Sequence, residues 1–508
     1  MTHNERKNIK VGIYIGYITF IINIVSHLLF TPYYLKTVGD AQYGIYSFAL
    51  SLTSWLTLLV TSMGISYLRE AAKQYRENEL DGEYSINTFF FIVFGIFAAA
   101  AFLFLVVLFI LLYSGVISLN NYSSNEKVVF FTVFSLSGLS VVLTMLFNVF
   151  TLFENYKKRF IFSRLVALLP VIFNPIISYI LISRGYGVSE VVLVSFVMTI
   201  VTILITIFHA IKVAGFKTKK ISRDFFKVNA RSVLSTSILV LLTVVINQIN
   251  TTMGKIVLGF MIGPIPVAIY QISLSFQNYL MSFSNIIPNT YIPTISEKVA
   301  NKDYEGLNVL FLKTSYVQIV LLTFIIGGFL SVGNEFIFIW LGRDRAIAYI
   351  LISALMLSSI IHGAQYFLIL HDFTENKHLF RNLAYFFSIT LNVIVSVALI
   401  LLFPDLDPLF SVLIGTASSF ILFDILVNIY FIKNTKYNLK EFFLNLCKYV
   451  LISLFSAIVV NLLFSNLKLN VWAIFFIKGF AFVAIYGLLS FIIEHKKIIL
   501  FFKKQSIY

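Results

Sequence analysis

The 508-residue chain has a single cysteine, Cys447, and only 12% of its residues are charged. One cysteine excludes an internal disulfide and a cysteine metal cluster; Cys447 is expected to be a small core residue near a helix start. The shortage of charge says more. A soluble domain carries roughly 25% charged and about 45–50% apolar residues, whereas 59% of this chain is hydrophobic. So little polar side chain cannot cover a surface that faces water, and the chain reads as an integral membrane protein. Sequence motifs for common chemistries are also missing. There is no G-x-x-x-x-G-K-[ST] loop, so ATP is not the direct energy source, and no Cys/His pattern for a metal. No cofactor is expected.

What is present is apolar length. Fourteen stretches lie near 11–34, 43–66, 86–112, 128–152, 165–183, 191–211, 232–259, 267–292, 311–333, 346–370, 380–403, 408–432, 446–464 and 471–493. Each can cross a hydrocarbon core of about 30 Å with about 20 helical residues. The runs are continuous rather than alternating, which excludes a β-barrel. The expected fold is an all-α polytopic membrane protein. With the N-terminus inside, the inner segments hold 30 Lys/Arg and the outer ones 7, so the positive-inside rule puts both termini in the cytoplasm. The net charge of +15 is then a topogenic signal, and no nucleic-acid partner is expected. The first apolar run is too long for a signal peptide and lacks a small-residue cleavage pattern, so it is expected to remain as the first helix.

Three inner segments carry most of the remaining polar sequence. The loop 212–231 and the tail 496–508 are basic and suit an anionic inner leaflet, at about 1 kcal/mol per basic residue. Residues 69–85, acidic in balance, read as a solvated helical hairpin arm.

The chain also repeats itself. VGDAQYGIYSFALS (38–51) aligns without a gap on IGPIPVAIYQISLS (262–275), an offset of 224 residues, matching Gly39 to Gly263, Tyr46 to Tyr270 and Ser51 to Ser275. Six predicted helices lie between, so two six-helix units enter the membrane with the same orientation, as parallel repeats do. Gly39 and Gly263 permit a tight outer turn, and Tyr46 and Tyr270 are expected at the outer interface. The offset extends backwards: Asn23 matches Asn247, His27 faces Thr251, and Thr31 faces Lys255. Spaced i, i+4, i+8, each set shares one helix face, widened by Ser26, Gln248 and Asn250. A polar face in lipid points either into a wet cavity or to a packed neighbour.

The stretches LLFTPYYLKTVG, YGIYSFALSL and TSMGISYLREAA, with NQINTTMGKIVLGFMIGPIPVAIY and IPNTYIPTISEKVANKD in the second copy, resemble bacterial oligosaccharide flippases. These are the Wzx-type O-antigen transporters of the multidrug/oligosaccharidyl-lipid/polysaccharide (MOP) exporter superfamily. The resemblance implies two six-helix lobes, 1–222 and 223–440, around a V-shaped central cavity, with two extra helices and a basic tail at 441–508. It implies translocation of undecaprenyl-pyrophosphate-linked repeat units across the bacterial inner membrane by alternating access. Membrane lipids and polysaccharide polymerase or glycosyltransferase machinery are the further partners it implies. A lipid II flippase or a multidrug/cation antiporter of the same superfamily is the alternative. Candidate substrate-binding residues are Asn23, His27, Arg69, Arg164, Asn247, Asn250 and Lys255. The arginines stand at inner helix ends, where such side chains also snorkel. Members of the group often carry an acid where Asn250 stands.

Two charges interrupt apolar runs. Asp424 is read either as a protonation site for ion coupling or as the partner of Lys478. His27 and His362 can titrate near neutral pH, although a lone helical histidine is more often a packing residue. Asp405-Leu406-Asp407 mimics the acid pair of nucleotide-sugar glycosyltransferases, but it lies in a short outer loop without a soluble domain. The protein is expected not to be an enzyme.

Overall fold

The computed structural model describes residues 3–342, 345–375, 378–435, 437–467 and 469–505, almost all of them helical. The first elements are α1 (His3–Thr37), α2 (Asp40–Thr53), a 3-10 turn (Ser54–Leu56), α3 (Thr57–Tyr113), α4 (Ser124–Tyr156), α5 (Phe160–Ser183), α6 (Val188–Lys212), α7 (Arg223–Met261) and α8 (Pro264–Thr290). They continue as α9 (Ile292–Ala300), α10 (Tyr304–Leu341), α11 (Ile347–Ser358), α12 (Ile360–Ala364), α13 (Tyr366–Glu375), α14 (His378–Leu402), α15 (Pro408–Asn434), α16 (Leu439–Leu463) and α17 (Val471–Gln505). Eleven helical segments among the described residues are long and apolar enough to cross a membrane. The expected count of fourteen adds 232–259, 267–292 and 346–370. The first two are helical but richer in Asn, Gln, Ser and Thr. The third is broken at Ser359 and Gln365 into α11, α12 and α13.

Helix starts follow the cap chemistry of the loops. Ser123 and Glu126 form a reciprocal capping box at α4, and Asp303 accepts from the Gly306 N–H at α10. Asp407 accepts from the Leu409 N–H at 2.8 Å, so this member of the Asp405–Asp407 pair is an N-cap that satisfies an otherwise orphaned donor.

Residues 69–85 do form a helical arm, but not a fully solvated one. The Tyr67 hydroxyl donates to Asn87 Oδ1 at 2.8 Å across 20 residues, a separation of about 30 Å in a straight helix. The α3 segment therefore folds back on itself. Glu70 and Glu83 are buried. Glu70 accepts from the Ser232 hydroxyl at 2.8 Å, and Glu83 pairs with Lys157 at 2.8 Å. Glu70 and Glu83 serve packing because each has found a donor.

The chain divides into two compact units, Met1–Ala268 and Ile269–Tyr508. In the first, α1 packs on α5, α4 on α3 and α6, and α7 on α2 and α3. In the second, α14 pairs with α15, and α16 and α17 pack on α10. The position 222/223 falls inside the first unit, where α7 is sewn to α2 and α3. Gln248 Nε2 reaches Ser54 Oγ at 2.5 Å, and the hydroxyls of Ser66 and Ser237 lie 2.8 Å apart. Cys447 is exposed on α16, against the expectation of a core position. The buried positions around it on α16, Phe442, Leu446, Tyr449 and Ser453, lie on another face of the helix.

The repeated sequence builds a repeated turn. Gly39 has φ 92° and Gly263 φ 132°, a region open to glycine and costly for other residues. Ser51 and Ser275 each donate to the carbonyl four residues back, at 2.6 and 2.9 Å. The tyrosines depart from expectation. Tyr270 is buried, with its hydroxyl 2.8 Å from Thr416 Oγ1, so it is a core residue; an interior hydroxyl made it one. Tyr46 is half-buried among Tyr34 and Tyr43.

Gly44 lets α2 approach the second turn closely, since a Cβ there would lie 1.8 Å from the Pro264 carbonyl oxygen. Gly44→Ala should therefore destabilise the protein by about 1–3 kcal/mol, the range for overpacking. A lower thermal unfolding midpoint in detergent would register this. Gly487→Ala, where a Cβ meets nothing within 4 Å, should leave the midpoint unchanged. Equal midpoints for the two variants would contradict the packing described.

Candidate functional sites in the two units

In the first unit, α1, α2, α5 and α6 enclose a cavity of about 230 Å³. Asn23 and His27 line it from α1, which brings together two of the residues singled out from the sequence. Thr31 follows on the same face and is buried. Tyr34 is 3% exposed and forms an aromatic wall with Phe30 and Tyr43, at centroid distances of 5.5 and 5.4 Å. On α5, Asn174 lies between Pro170 and Pro175. Prolines inside a helix remove backbone donors and open the ladder, a feature that marks functional places in membrane helices. The Tyr34 hydroxyl and Asn174 Oδ1 are buried without a hydrogen-bond partner. Unpaired polar atoms cost free energy in an apolar setting, so the cavity offers hydrogen-bonding atoms to any polar group that enters it.

Arg69, Arg164 and Lys255 fall elsewhere in that unit. Arg69 on α3 and Arg164 on α5 are exposed, and neither lines the cavity. Arg164 runs beside Gly16 of α1. Lys255 is half-buried on α7. Asn247 and Asn250 lie on the α7 backbone, but their side chains fall outside the described residues.

The second unit carries a different arrangement. Breaking a membrane helix frees backbone carbonyls, which must find new donors. Here Ser284 Oγ donates to the Gly363 carbonyl at 2.6 Å. Gln318 Nε2, from a fully buried side chain, reaches the same carbonyl at 3.0 Å. The break positions His362. Its Nε2 lies 3.0 Å from the Tyr385 hydroxyl, and its Nδ1 lies 3.9 Å from Asp424 Oδ1, too far for a hydrogen bond. Both His362 Nδ1 and Asp424 Oδ2 are buried without a hydrogen-bond partner. An acid and an imidazole left short of contact can take a proton or a small cation between them. No group of three metal-ligating side chains is found among the described residues.

Asp424 is not the partner of Lys478. Lys478 Nζ sits 2.6 Å from Glu335 Oε1 and 3.0 Å from Asn461 Oδ1. Glu335 lies just beyond the run 311–333, and its part became visible only when α10 extended to Leu341. The pair ties α17 to α10 and removes the need for Asp424 to neutralise a lysine.

A family model described as polysaccharide biosynthesis protein matches residues 7–299. The chain belongs to that family. Among solved structures, this polysaccharide biosynthesis family member is similar to the lipid II flippase MurJ in an inward closed conformation, with a TM-score of 0.76 at 15% identity over 96% of this chain and 99% of that one. An inward-facing multidrug resistance MATE family transporter of the MOP superfamily gives 0.64 at 12% identity, over 81% and 93%. A eukaryotic MATE transporter gives 0.56 at 12% identity, over 88% and 99%. These likenesses establish a MOP-type fold. A search of curated proteins finds no match by sequence.

The Lys478–Glu335 pair is mostly buried, at 9% and 13% side-chain exposure. Removing one partner leaves an uncompensated buried charge, at about 3–5 kcal/mol. Lys478→Met and Glu335→Leu should each lower the unfolding midpoint sharply, and the double variant should recover much of the loss. A double variant as unstable as the sum of the singles would show that the two side chains act independently.

Proposed function

We propose that the protein is a flippase for undecaprenyl-pyrophosphate-linked oligosaccharide units, of O-antigen or another surface polysaccharide. It moves them from the cytoplasmic to the outer leaflet of the bacterial inner membrane by alternating access. The observation that carries this reading is membership of the polysaccharide biosynthesis family in a chain whose fold is that of MOP transporters. The physical task fits. A polyprenyl tail is content in lipid, whereas a sugar–pyrophosphate headgroup needs a polar path across it. The polar and aromatic cavity on α1, α2 and α5 supports a place for part of that headgroup. Asn23 and His27 face it, and Tyr34 and Asn174 offer unsatisfied hydrogen-bonding atoms. Asn247, Asn250, Lys255, Arg69 and Arg164 are the further substrate contacts, the cations holding the pyrophosphate.

Energy comes from an ion gradient in this reading. Asp424 with His362, beside a broken helix, is the coupling site, because a buried carboxylate oxygen without a donor is stabilised by a proton or cation. Both termini lie in the cytoplasm in this reading, which the 30-to-7 bias of basic residues supports.

The likeness to MurJ favours one second reading, with lipid II as cargo. That structure covers 96% of this chain, where the MATE structures cover 81% and 88%. A drug antiporter is the weaker alternative because it leaves more of the chain unaccounted for.

Deletion in a strain without a second flippase should abolish surface polysaccharide and leave lipid-linked units on the cytoplasmic side. Complementation by the natural protein should restore export, and Asp424→Asn should fail to restore it at equal membrane abundance. Normal surface polymer in the deletion strain would overturn the flippase reading. Full rescue by Asp424→Asn would overturn the coupling role alone.

A further inference from the structure

The second unit holds another cavity, of about 520 Å³, within the usual range of ligand pockets. It lies where α10 and α16 begin and α13 and α15 end, at the end of the bundle that the charge bias assigns to the cytoplasm. Two kinds of group line it. Tyr304, Tyr430 and Tyr437 present aromatic rings, and His371, Asp372 and Glu375 present nitrogen and carboxylate oxygens.

His371 and Asp372 are 4% and 3% exposed. The imidazole stands 3.6 Å from Glu375 Oε1 through Nε2 and 3.9 Å from Asp372 Oδ1 through Nδ1, both beyond good hydrogen-bond reach. Its Nδ1 is buried without a hydrogen-bond partner, and so is the Tyr437 hydroxyl. The Tyr437 ring meets the imidazole edge-on, at 5.4 Å and 89°. Burial, then the charges of Glu375 and Asp372, push the Tyr437 hydroxyl above its ordinary range, so it stays a neutral donor. No metal arrangement is found here among the described residues.

A ligand suited to this lining donates to carboxylate oxygens, each able to accept more than one donor, exchanges hydrogen bonds with a phenol and an imidazole, and lays an apolar face on the exposed Tyr304 ring. A sugar ring does all three: its hydroxyls donate and accept, and its C–H face packs on an aromatic plane. An acyl chain would leave every polar atom unpaired. A phosphate or uronate would meet two carboxylates of its own sign, and Arg381, whose charge acts on Asp372, is buried and does not line the pocket. We propose that this pocket binds an uncharged sugar ring, docking the carbohydrate end of the substrate at the inner rim of the second unit. This rests on the flippase reading for its role, but the binding itself is measured separately.

The test is saturation-transfer NMR on the full-length purified protein in nanodiscs. The probes are free glucose, N-acetylglucosamine, glucuronic acid and spermidine. Glucose or N-acetylglucosamine should receive saturation, and glucuronic acid and spermidine should not. Glu375→Gln, at a half-buried position, and Asp372→Asn should each weaken sugar binding roughly tenfold, as loss of a charge-assisted hydrogen bond does, with unfolding midpoints checked alongside. Transfer to neither sugar overturns the proposal, as does transfer to glucuronic acid equal to that of the sugars. Binding of spermidine in their place, or sugar binding unchanged in a folded Glu375→Gln protein, also overturns it. Sugar binding without lipid flipping would overturn the flippase reading alone; flipping without sugar binding would overturn the pocket alone.

Discussion

A polar group surrounded by hydrocarbon has to find its partner inside the protein, and this constraint organises the whole structure. With 12% of the residues charged, each buried charge is visible as a decision. Lys478 is held by Glu335 and Asn461. Glu83 is held by Lys157, and the fully buried Glu154 lies 2.8 Å from His209 Nδ1. The carbonyl freed at Gly363 is taken by Ser284 and Gln318. Where satisfaction is nearly complete, the atoms left over are informative. They are spread over both units, and those that face the sites described above belong to Tyr34 and Asn174 in the first unit and to His362, Asp424, His371 and Tyr437 in the second.

The duplicated segment shows how the same constraint shapes the backbone. Two spanning helices joined by a tight turn need one residue in the left-handed region, and glycine supplies it at 39 and 263. The serines at 51 and 275 both bond back to their own helix, which hides a hydroxyl without help from a neighbour. Divergence begins where packing differs. Gly44 is needed against the Pro264 carbonyl, while Ala268, its counterpart by the same offset, is itself fully buried.

Much of this was legible in the sequence because it is local. Apolar length marks the spans, and the Gly39/Gly263 match marks the repeated turn. Asn23 and His27 could be found because they repeat at helical spacing. The rest depends on distant partners. Asp424 and Lys478 were natural mates by charge alone, and only the packing of α17 on α10 gives Lys478 to Glu335. The attachment of α7 to the α2–α3 segment rests in part on serine and glutamine contacts far apart in the chain. The cavity residue Asn174 did carry a signal, two prolines around it in an otherwise apolar run. The break at Ser359 carried a weaker one, since serines and Gly363 also occur in unbroken helices.

Direct observation of flipping bears hardest on the central claim. Purified protein is reconstituted into vesicles that carry a fluorescent undecaprenyl-pyrophosphate oligosaccharide, and a membrane-impermeant quencher follows the exposed fraction under an imposed ion gradient. The expected result is rapid exchange between leaflets in vesicles with the protein and slow exchange in vesicles without it. Exchange no faster with the protein than without it, for a correctly folded and oriented preparation, would contradict the claim.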